Sequence, residues 1–246
     1  MAQESTSPVQ AQKKRQQTYA ILGAMVVVVA LAIAGIALSN QPGTEPAAVV
    51  TGSGADEGPY AGLPVSATQN GLYRLGDPDA PVLLEVFSSF TCPHCADFHT
   101  TIHELLDPYV KDGTLAVVAY LLGNSQRAAL GTQAALCAGQ QEPAKFWEMS
   151  DLMFSWINQA YDRPNIEEAA SAMGLDVDAL TACMDSPETA AILQGVYDEA
   201  IARQVRGTPA TFFNGARPDC GIPGDTCEGN LPYDMVVQNI EQRLAQ

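Results

Sequence analysis

The feature that most constrains the fold of this chain is a Cys-Pro-His-Cys motif at residues 92–95, placed between an apolar stretch and a helical one. Residues 81–87 read PVLLEVF, a short apolar run typical of a buried strand. Pro93 suits the first turn of the following helix, where a backbone N–H is not needed. A second apolar run at 114–122 (TLAVVAYLL) completes a strand–helix–strand order. This order predicts the start of a parallel α/β sheet.

The next part of the chain changes to a helical period. Residues from about 124 to 206 carry apolar side chains at helical spacing, and Phe146, Met149 and Met153 are one example. We interpret this stripe as helix core. The segment therefore predicts a helical insertion of several helices.

The C-terminal part returns to the sheet. Residues 210–214 (ATFFN) predict a strand, followed by a turn at Asn214-Gly215 and a return strand near 216–217. A last amphipathic helix is predicted from about 232 to 244. The predicted fold class is α/β, with a βαβ half, a helical insertion and a ββα half.

The N-terminal part predicts a membrane anchor. Residues 20–38 form an uncharged apolar run, about 28 Å long as a helix and close to the ~30 Å hydrocarbon core of a bilayer. Lys13-Lys14-Arg15 precedes the run, which places residues 1–19 in the cytoplasm and the rest outside. A cleaved signal peptide is the alternative, although its apolar region is usually shorter. Residues 39–70, rich in Pro, Gly, Ser and Thr, predict a flexible linker to a domain at 71–246.

Charge excludes one class of partner. The chain has 28 acidic and 12 basic side chains and a formal net charge of −16. Nucleic-acid-binding domains need a basic footprint. We therefore expect no nucleic-acid binding, and membrane contact only through the one N-terminal helix.

The placement of Cys92 and Cys95 carries a chemical mechanism. The N-terminus of a helix presents unpaired N–H groups and a positive dipole end, which favour the thiolate form of Cys92. His94 can add positive charge or a hydrogen bond. A stabilised thiolate favours the reduced pair, so its disulfide is an oxidant. Outside the cytoplasm, the motif therefore points to donating disulfides.

Two other interpretations of the pair remain. Zinc could use the set Cys92, Cys95, His99 and His103, but three of these residues lie along one face of one straight helix, which is hard to wrap around one ion. The pair could also be an inert structural disulfide. We expect neither a metal nor a cofactor.

Four further cysteines are interpreted as structural. Cys137 and Cys183 have apolar neighbours at helical spacing, and Cys220 and Cys227 flank the sequence GIPGDT. Bridges 137–183 and 220–227 are the pairing that we expect outside the cytoplasm. Six cysteines allow 15 connectivities, and three remain if 92–95 is one pair.

Together these residues resemble a known family. The strand, Cys92-Pro93-His94-Cys95, the helical insertion and the stretch 205–213 (VRGTPATFF) resemble the membrane-anchored DsbA-like thiol–disulfide oxidoreductases of the thioredoxin superfamily. The lead-in at 76–82 (GDPDAPV) and the stretch 144–149 (AKFWEM) are similar as well. The resemblance covers about residues 71–246 and implies a thioredoxin-like fold.

The resemblance also implies roles. Cys92 would be the nucleophile that forms mixed disulfides, and Cys95 the resolving thiol. Thr208 and Pro209 would form a cis-proline loop that faces the cysteines and binds an extended substrate segment. Partners would be reduced or unfolded exported proteins and an integral-membrane reoxidising protein of the DsbB or VKOR-like kind.

One position departs from the family. Many relatives carry an acidic residue six positions before the nucleophile, and this chain has Val86 there. The acid is Glu85, which the period of two in a strand turns to the opposite face of the sheet. We expect Glu85 to meet solvent or a cationic partner.

Three functions compete on these grounds. The first is an oxidase that donates disulfides to exported proteins. The second is a reductase or isomerase, although isomerases of this superfamily commonly add a dimerisation domain, and the chain shows no such segment. The third is a non-catalytic binding module, which would keep its function without Cys92 and Cys95.

Overall fold

The computed structural model describes residues 58–220, 227 and 229–246. The predicted cytoplasmic tail (1–19), the predicted membrane anchor (20–38) and residues 39–57 of the predicted linker lie outside these residues. Within the part that is described, no helix is both long and apolar enough to cross a membrane.

A five-stranded mixed sheet forms the centre of the fold. Its order is β1-β2-β4-β3-β5, and β3 and β4 are parallel while the other neighbours are antiparallel. The two central strands are buried along almost their whole length, as expected from their continuous apolar runs. The strands are β1 Val65–Ala67, β2 Tyr73–Leu75, β3 Val82–Ser88, β4 Leu115–Leu121 and β5 Ala210–Phe213.

Helices cover the sheet and build the insertion. Helix α1, Pro93–Leu105, connects β3 to β4 and ends in a wider π-helical turn, Leu106–Val110. Five helices follow β4 and precede β5, which confirms the predicted helical insertion. They are α2 Gln126–Gln141, α3 Pro143–Ser155, α4 Arg163–Ala172, α5 Val177–Met184 and α6 Pro187–Ala202. Helix α7, Tyr233–Leu244, closes the chain with Val236 and Ile240 fully buried.

The described residues correct two sequence predictions. The segment 58–70 is not a flexible linker, because β1 lies within it and Tyr60 and Leu63 are buried in the core. Three-residue strands carry too little alternation to be detected from sequence. The predicted return strand near 216–217 is reduced to an isolated bridge between Phe213 and Ala216. The turn between them has Asn214 and Gly215 at positive φ, 51° and 77°, as a tight hairpin turn requires.

The insertion is tied together by a disulfide. Cys137 in α2 and Cys183 in α5 are bridged, with their Cα atoms 5.7 Å apart. The hydroxyl of Thr189, at the start of α6, lies 3.6 Å and 3.4 Å from the two sulfurs. Three insertion helices therefore meet at this bridge.

Candidate active site

Cys92 lies at the point where the chain leaves the sheet. It is the N-cap residue of α1, with an extended backbone, and Pro93 occupies the first turn. The turn is closed by the N–H of Cys95, which donates to the carbonyl of Cys92 at 3.0 Å. Cys92 is a partly exposed thiol, whereas Cys95 is a buried one. The sequence motif thus becomes one accessible sulfur with a second sulfur behind it.

Strand pairing brings a distant loop to Cys92. Because β5 runs antiparallel to β3, the start of β5 meets the end of β3, and Ala210 is the register partner of Phe87. Thr208 and Pro209 immediately precede β5 and are joined by a cis peptide bond. The Cys92 thiol donates a hydrogen bond to the carbonyl of Thr208 at 3.2 Å. Cys92, Cys95 and Thr208 are therefore brought together as the resemblance implied.

Cys95 occupies a very different environment. Its side chain is 1% exposed, and burial raises the pKa of this thiol from 9.0 to about 11. Hydrogen bonds with Ser88 and Thr208 lower the pKa of Cys95 but only partly offset the burial. At neutral pH Cys95 is therefore held as the protonated thiol.

His94 faces solvent. Its side chain is 74% exposed, and its Nδ1 lies 3.7 Å from Oδ2 of the exposed Asp97. A carboxylate at this distance offsets the positive charge of a protonated imidazole. Sequence reasoning did not single out Asp97, although its position three residues after His94 on a helix predicts contact.

A small cavity lies behind Cys95. It has a volume of about 10 Å³ and is lined by the thiol together with Val86, Ser88, His99 and Trp147, among others. This volume is about enough for one water molecule. Val86, at the position where many relatives carry an acid, is thus an apolar wall of this cavity.

Glu85 points to the opposite side of the sheet and finds a cationic partner there. Its Oε1 lies 2.8 Å from the guanidinium of Arg203 and accepts a hydrogen bond from the Tyr120 hydroxyl at 3.1 Å. Arg203 also lies over the rings of Phe87 and Phe212, at 5.8 Å and 5.1 Å from their centroids. Hydrogen bonding to Glu85 raises the pKa of Arg203, and burial raises the pKa of Tyr120 to about 12. This group therefore connects the end of α6 to the sheet.

Further along α1, two histidines meet an aspartate from the insertion. His99 and His103 both direct Nε2 at Oδ1 of Asp151 in α3, at 2.5 Å and 2.9 Å. Tyr60 donates its hydroxyl to the same oxygen at 2.7 Å. Sequence reasoning considered both histidines with the cysteines and missed Asp151 and Tyr60. No local pattern connects residues that are 48 and 91 positions apart.

Ionisation within this group follows from burial and hydrogen bonding. Burial lowers the pKa of His99 and raises the pKa of Tyr60. Burial alone would also raise the pKa of Asp151, but hydrogen bonds from His103, His99 and Tyr60 outweigh it and lower the pKa to about 2. At neutral pH the aspartate is ionised and His99 is neutral.

Within the described residues, the four other cysteines form two disulfides. Besides 137–183, the structure joins Cys220 to Cys227, with their Cα atoms 5.8 Å apart. Cys92 and Cys95 are the two cysteines left as thiols. A partly exposed thiol at a helix start, which faces a main-chain carbonyl and has a buried thiol behind it, can exchange a disulfide with a bound chain.

Comparisons with known proteins identify the family and the fold of the chain. The family model described as Thioredoxin matches residues 68–226, more than half of the chain. Oxidised BdbD from Bacillus subtilis superposes with a TM-score of 0.62 at 18% identity, covering 73% of this chain and 96% of that one. This similarity concerns the fold.

Two curated relatives match at low identity. A provisionally named protein-disulfide oxidoreductase of Rickettsia conorii is 25% identical over 178 residues, which is 70% of this chain and 60% of that protein. A Na⁺/H⁺ antiporter, NhaA, of Herminiimonas arsenicoxydans is 27% identical over 142 residues, which is 58% of this chain and 22% of the antiporter. The chain thus spans less than two thirds of the length of either relative.

Proposed function

The chain belongs to the thioredoxin family, and from that premise we propose that it is a thiol–disulfide oxidoreductase whose redox centre is Cys92–Cys95. One observation carries the proposal: the partly exposed Cys92 thiol hydrogen-bonds the Thr208 carbonyl while Cys95 is buried behind it. A merely structural disulfide has no need of an accessible sulfur facing main-chain groups. The name of the Rickettsia conorii relative agrees with this assignment.

The proposed reaction starts from the oxidised pair. A thiolate of the substrate attacks Cys92, the Cys92–Cys95 bond breaks, and Cys95 leaves with the electron pair and takes up a proton. A second substrate thiolate then attacks the substrate sulfur of the mixed disulfide and releases Cys92. The substrate gains one disulfide, and the protein gains two electrons and ends as a dithiol. Burial raises the pKa of Cys95 to about 11, which makes a free Cys95 thiolate a poor leaving group. The step therefore requires Cys95 to take up its proton as the disulfide bond breaks.

Oxidation is the direction that we propose. We base this direction on the position of Cys92 at the N-terminus of α1, where the positive end of the helix dipole lies beside its sulfur. An interaction that stabilises the reduced protein makes the disulfide a stronger oxidant. His94, exposed in the same turn, adds positive charge when protonated, although Asp97 offsets part of it. A reductase would use the same sulfurs in the opposite sense, and an isomerase would rearrange substrate disulfides with no net transfer of electrons.

The place and partners of the protein are part of the proposal. Residues 20–38 would anchor it as a single-pass protein of the cell membrane, with residues 1–19 in the cytoplasm and the redox domain outside. Two bridged cysteine pairs in the same chain agree with an oxidising compartment. Substrates would be reduced exported proteins, and an integral-membrane partner of the DsbB or VKOR-like kind would reoxidise Cys92–Cys95.

The reduction potential of the 92–95 pair tests the direction. The full chain is equilibrated with glutathione buffers, and the fraction of thiols at Cys92 and Cys95 is measured by alkylation and mass spectrometry. We expect a value between about −180 and −120 mV, the range from disulfide isomerase to strong oxidants, rather than about −270 mV as in thioredoxin. A value near −270 mV would favour the reductase.

A second assay tests catalysis itself. The oxidised chain is mixed with a reduced peptide that contains two cysteines, and peptide disulfide is followed in a single turnover. Oxidation should be lost in Cys92→Ser. His94→Gln, which retains both sulfurs, should still oxidise the peptide but with a lower reduction potential of the 92–95 pair. Unchanged peptide oxidation by Cys92→Ser would refute the proposal. In cells, full function of a variant that lacks both Cys92 and Cys95 would favour the binding module.

A further inference from the structure

The cluster of His99, His103 and Asp151 gathers nitrogen and oxygen atoms from two helices around one point. Two imidazole nitrogens and the Tyr60 hydroxyl all converge on one oxygen, Oδ1 of Asp151, at 2.5, 2.9 and 2.7 Å. The Tyr60 hydroxyl also lies 3.2 Å from Nε2 of His103. Imidazole nitrogens and a carboxylate oxygen that converge in this way are a set of ligand atoms that a transition metal can use.

The secondary structure presents these atoms as a metal site would. His99 and His103 are four residues apart on α1, which puts both rings on one face of the helix. Asp151 comes from a different helix, α3, and approaches from the side. The objection to zinc held by α1 alone, that its residues run along one face, does not apply to a set that includes Asp151.

The cluster is both sheltered and reachable. His99 is 7% exposed and Tyr60 is 3% exposed. On the outer side, His99, His103 and Asp151 line an open groove of about 450 Å³ together with Asp97 and other residues of the two helices. An ion therefore has an entry path from solvent, and the buried side of the cluster limits competition from water.

The ligand types and their spacing agree with cation binding. Transition metals bind imidazole nitrogens and carboxylate oxygens. The three candidate ligand atoms lie within 4.8 Å of one another.

We propose that His99, His103 and Asp151 form a binding site for a divalent transition metal such as Zn²⁺. Two imidazoles and one carboxylate are ligands suited to zinc and its neighbours, whereas Mg²⁺ and Ca²⁺ prefer oxygen ligands. The Tyr60 hydroxyl or a solvent molecule supplies the fourth position. The site is separate from the sulfurs and does not rest on the redox function proposed above.

Binding at this site would have a structural consequence. The ion would join α1, which carries Cys95, to α3 of the insertion, and it would draw in the segment before β1 through Tyr60. A ligand that binds the folded state alone stabilises that state. Zn²⁺ should therefore raise the melting temperature of the protein.

The test is calorimetric titration of the full chain with Zn²⁺. Cys92 and Cys95 are kept as a disulfide so that their thiols cannot bind the ion, and excess Mg²⁺ suppresses binding by surface carboxylates. We expect one Zn²⁺ per chain. The sequence has three histidines, and the one outside the cluster is the exposed His94. Its replacement is therefore the matched control. His94→Gln should leave the dissociation constant unchanged.

Ligand variants complete the design. Loss of a group that merely supports a ligand usually costs 10–100-fold in affinity, so His103→Gln and Asp151→Asn should each weaken Zn²⁺ binding by about 100-fold or more. Zn²⁺ should raise the melting temperature of the unmodified chain and of His94→Gln, but not that of His103→Gln. Circular dichroism shows that each variant is folded.

Several outcomes would overturn the proposal. Absence of stoichiometric binding to the unmodified chain would show that the cluster is a hydrogen-bond network. Unweakened binding by His103→Gln and Asp151→Asn, or binding lost in His94→Gln, would place the ion elsewhere. None of these results would affect the redox assays of Cys92 and Cys95, so failure here is distinguishable from failure of the proposed function.

Discussion

At the residue scale, the two cysteines of one motif acquire opposite properties. Cys92 caps the helix and is partly exposed, whereas Cys95 is one turn further on and faces the core. The difference follows from their positions, because Cys92 is the N-cap residue with an extended backbone, whereas Cys95 lies within the helix and is buried in the core. Cys92 is therefore the sulfur that a partner can reach, and Cys95 is shielded from solvent.

We expect Cys92 and Cys95 to differ in their rates of alkylation when the protein is reduced. At pH 8, iodoacetamide should modify Cys92 first, because burial shields Cys95 and raises its pKa to about 11. A pKa near 11 leaves on the order of one Cys95 thiol in 1000 ionised at this pH, about 100-fold less than for an ordinary thiol. Mass spectrometry of timed samples gives both rates. Denatured protein is the control, and equal Cys95 rates in folded and denatured protein would contradict the assignment.

The same pKa predicts a pH dependence of stability. The Cys95 thiol ionises near pH 9 in the unfolded chain and near 11 in the folded one, so between these values the unfolded state releases the proton. Stability of the reduced protein should therefore fall between pH 9 and 11, by on the order of 2 kcal/mol. Urea unfolding of reduced protein and of Cys95→Ala isolates this contribution. Parallel pH profiles for the two proteins would refute it.

At the element scale, the Glu85–Arg203 pair fastens the insertion to the sheet. Glu85 lies in the middle of β3 and is 5% exposed, while Arg203 lies at the C-terminal end of α6. The pair is stacked between aromatic rings, which keeps water away. Removing one partner leaves a buried charge without compensation.

Arg203→Met is therefore expected to lower the free energy of unfolding by about 3 kcal/mol. Methionine keeps the apolar contact with Phe212. The decrease in the free energy of unfolding therefore measures the effect of leaving the Glu85 carboxylate without its cationic partner. The double variant Glu85→Gln/Arg203→Met should recover most of the loss, as measured by urea unfolding. If the single and double variants are equally unstable, the packing of Arg203 and not its charge holds the helix.

The insertion itself depends on the bridge between α2 and α5. Cys137 and Cys183 are 46 positions apart, and closing a loop of this length contributes about 4 kcal/mol in the chain-entropy account. Cys137→Ala/Cys183→Ala should lose about that much stability. The same measurement on Cys220→Ala/Cys227→Ala, whose cysteines are 7 positions apart, should show about 2.5 kcal/mol. A larger loss for the shorter loop would contradict the entropic explanation.

At the scale of the whole molecule, the chain combines a basic N-terminal segment with an acidic remainder. Residues 1–40 carry three basic side chains and one acidic one, whereas residues 41–246 carry nine basic and 27 acidic side chains. Basic residues next to an apolar run, here Lys13-Lys14-Arg15 before residues 20–38, are what orients single-pass proteins. The redox domain would then act where disulfides persist.

We expect protease added to spheroplasts that produce the full chain to digest the domain at 71–246. Alkaline carbonate should leave the undigested chain in the membrane fraction, because a spanning helix is not released by loss of charge contacts. Replacing Lys13-Lys14-Arg15 with neutral residues should reduce the digested fraction. A shortened chain in the soluble fraction would instead favour the signal peptide. A domain that the protease does not digest would contradict both the anchor and the signal peptide, because each of them places the domain outside.

The sequence by itself determined the local arrangement around the cysteines. An apolar strand, a proline that fits the first turn of a helix and the helical period after it together placed Cys92 at a helix N-terminus. The same periodicity predicted the helical insertion, and the period of two in a strand separated Glu85 from Val86. These features follow from contacts within a few residues, which a sequence pattern records.

Only the tertiary structure decided which distant residues share a site. Antiparallel pairing of β5 with β3 carries Thr208 to a sulfur 116 positions away, and packing of α3 against α1 brings Asp151 to His99. Arg203 likewise reaches Glu85 through the path of α6 over the sheet. Such contacts depend on how whole elements pack, and no local period encodes them. The short strands β1 and β2 were missed for the same reason. The pairing of β1 with β2 and of β2 with β4 stabilises them, and their own sequence pattern does not reveal it.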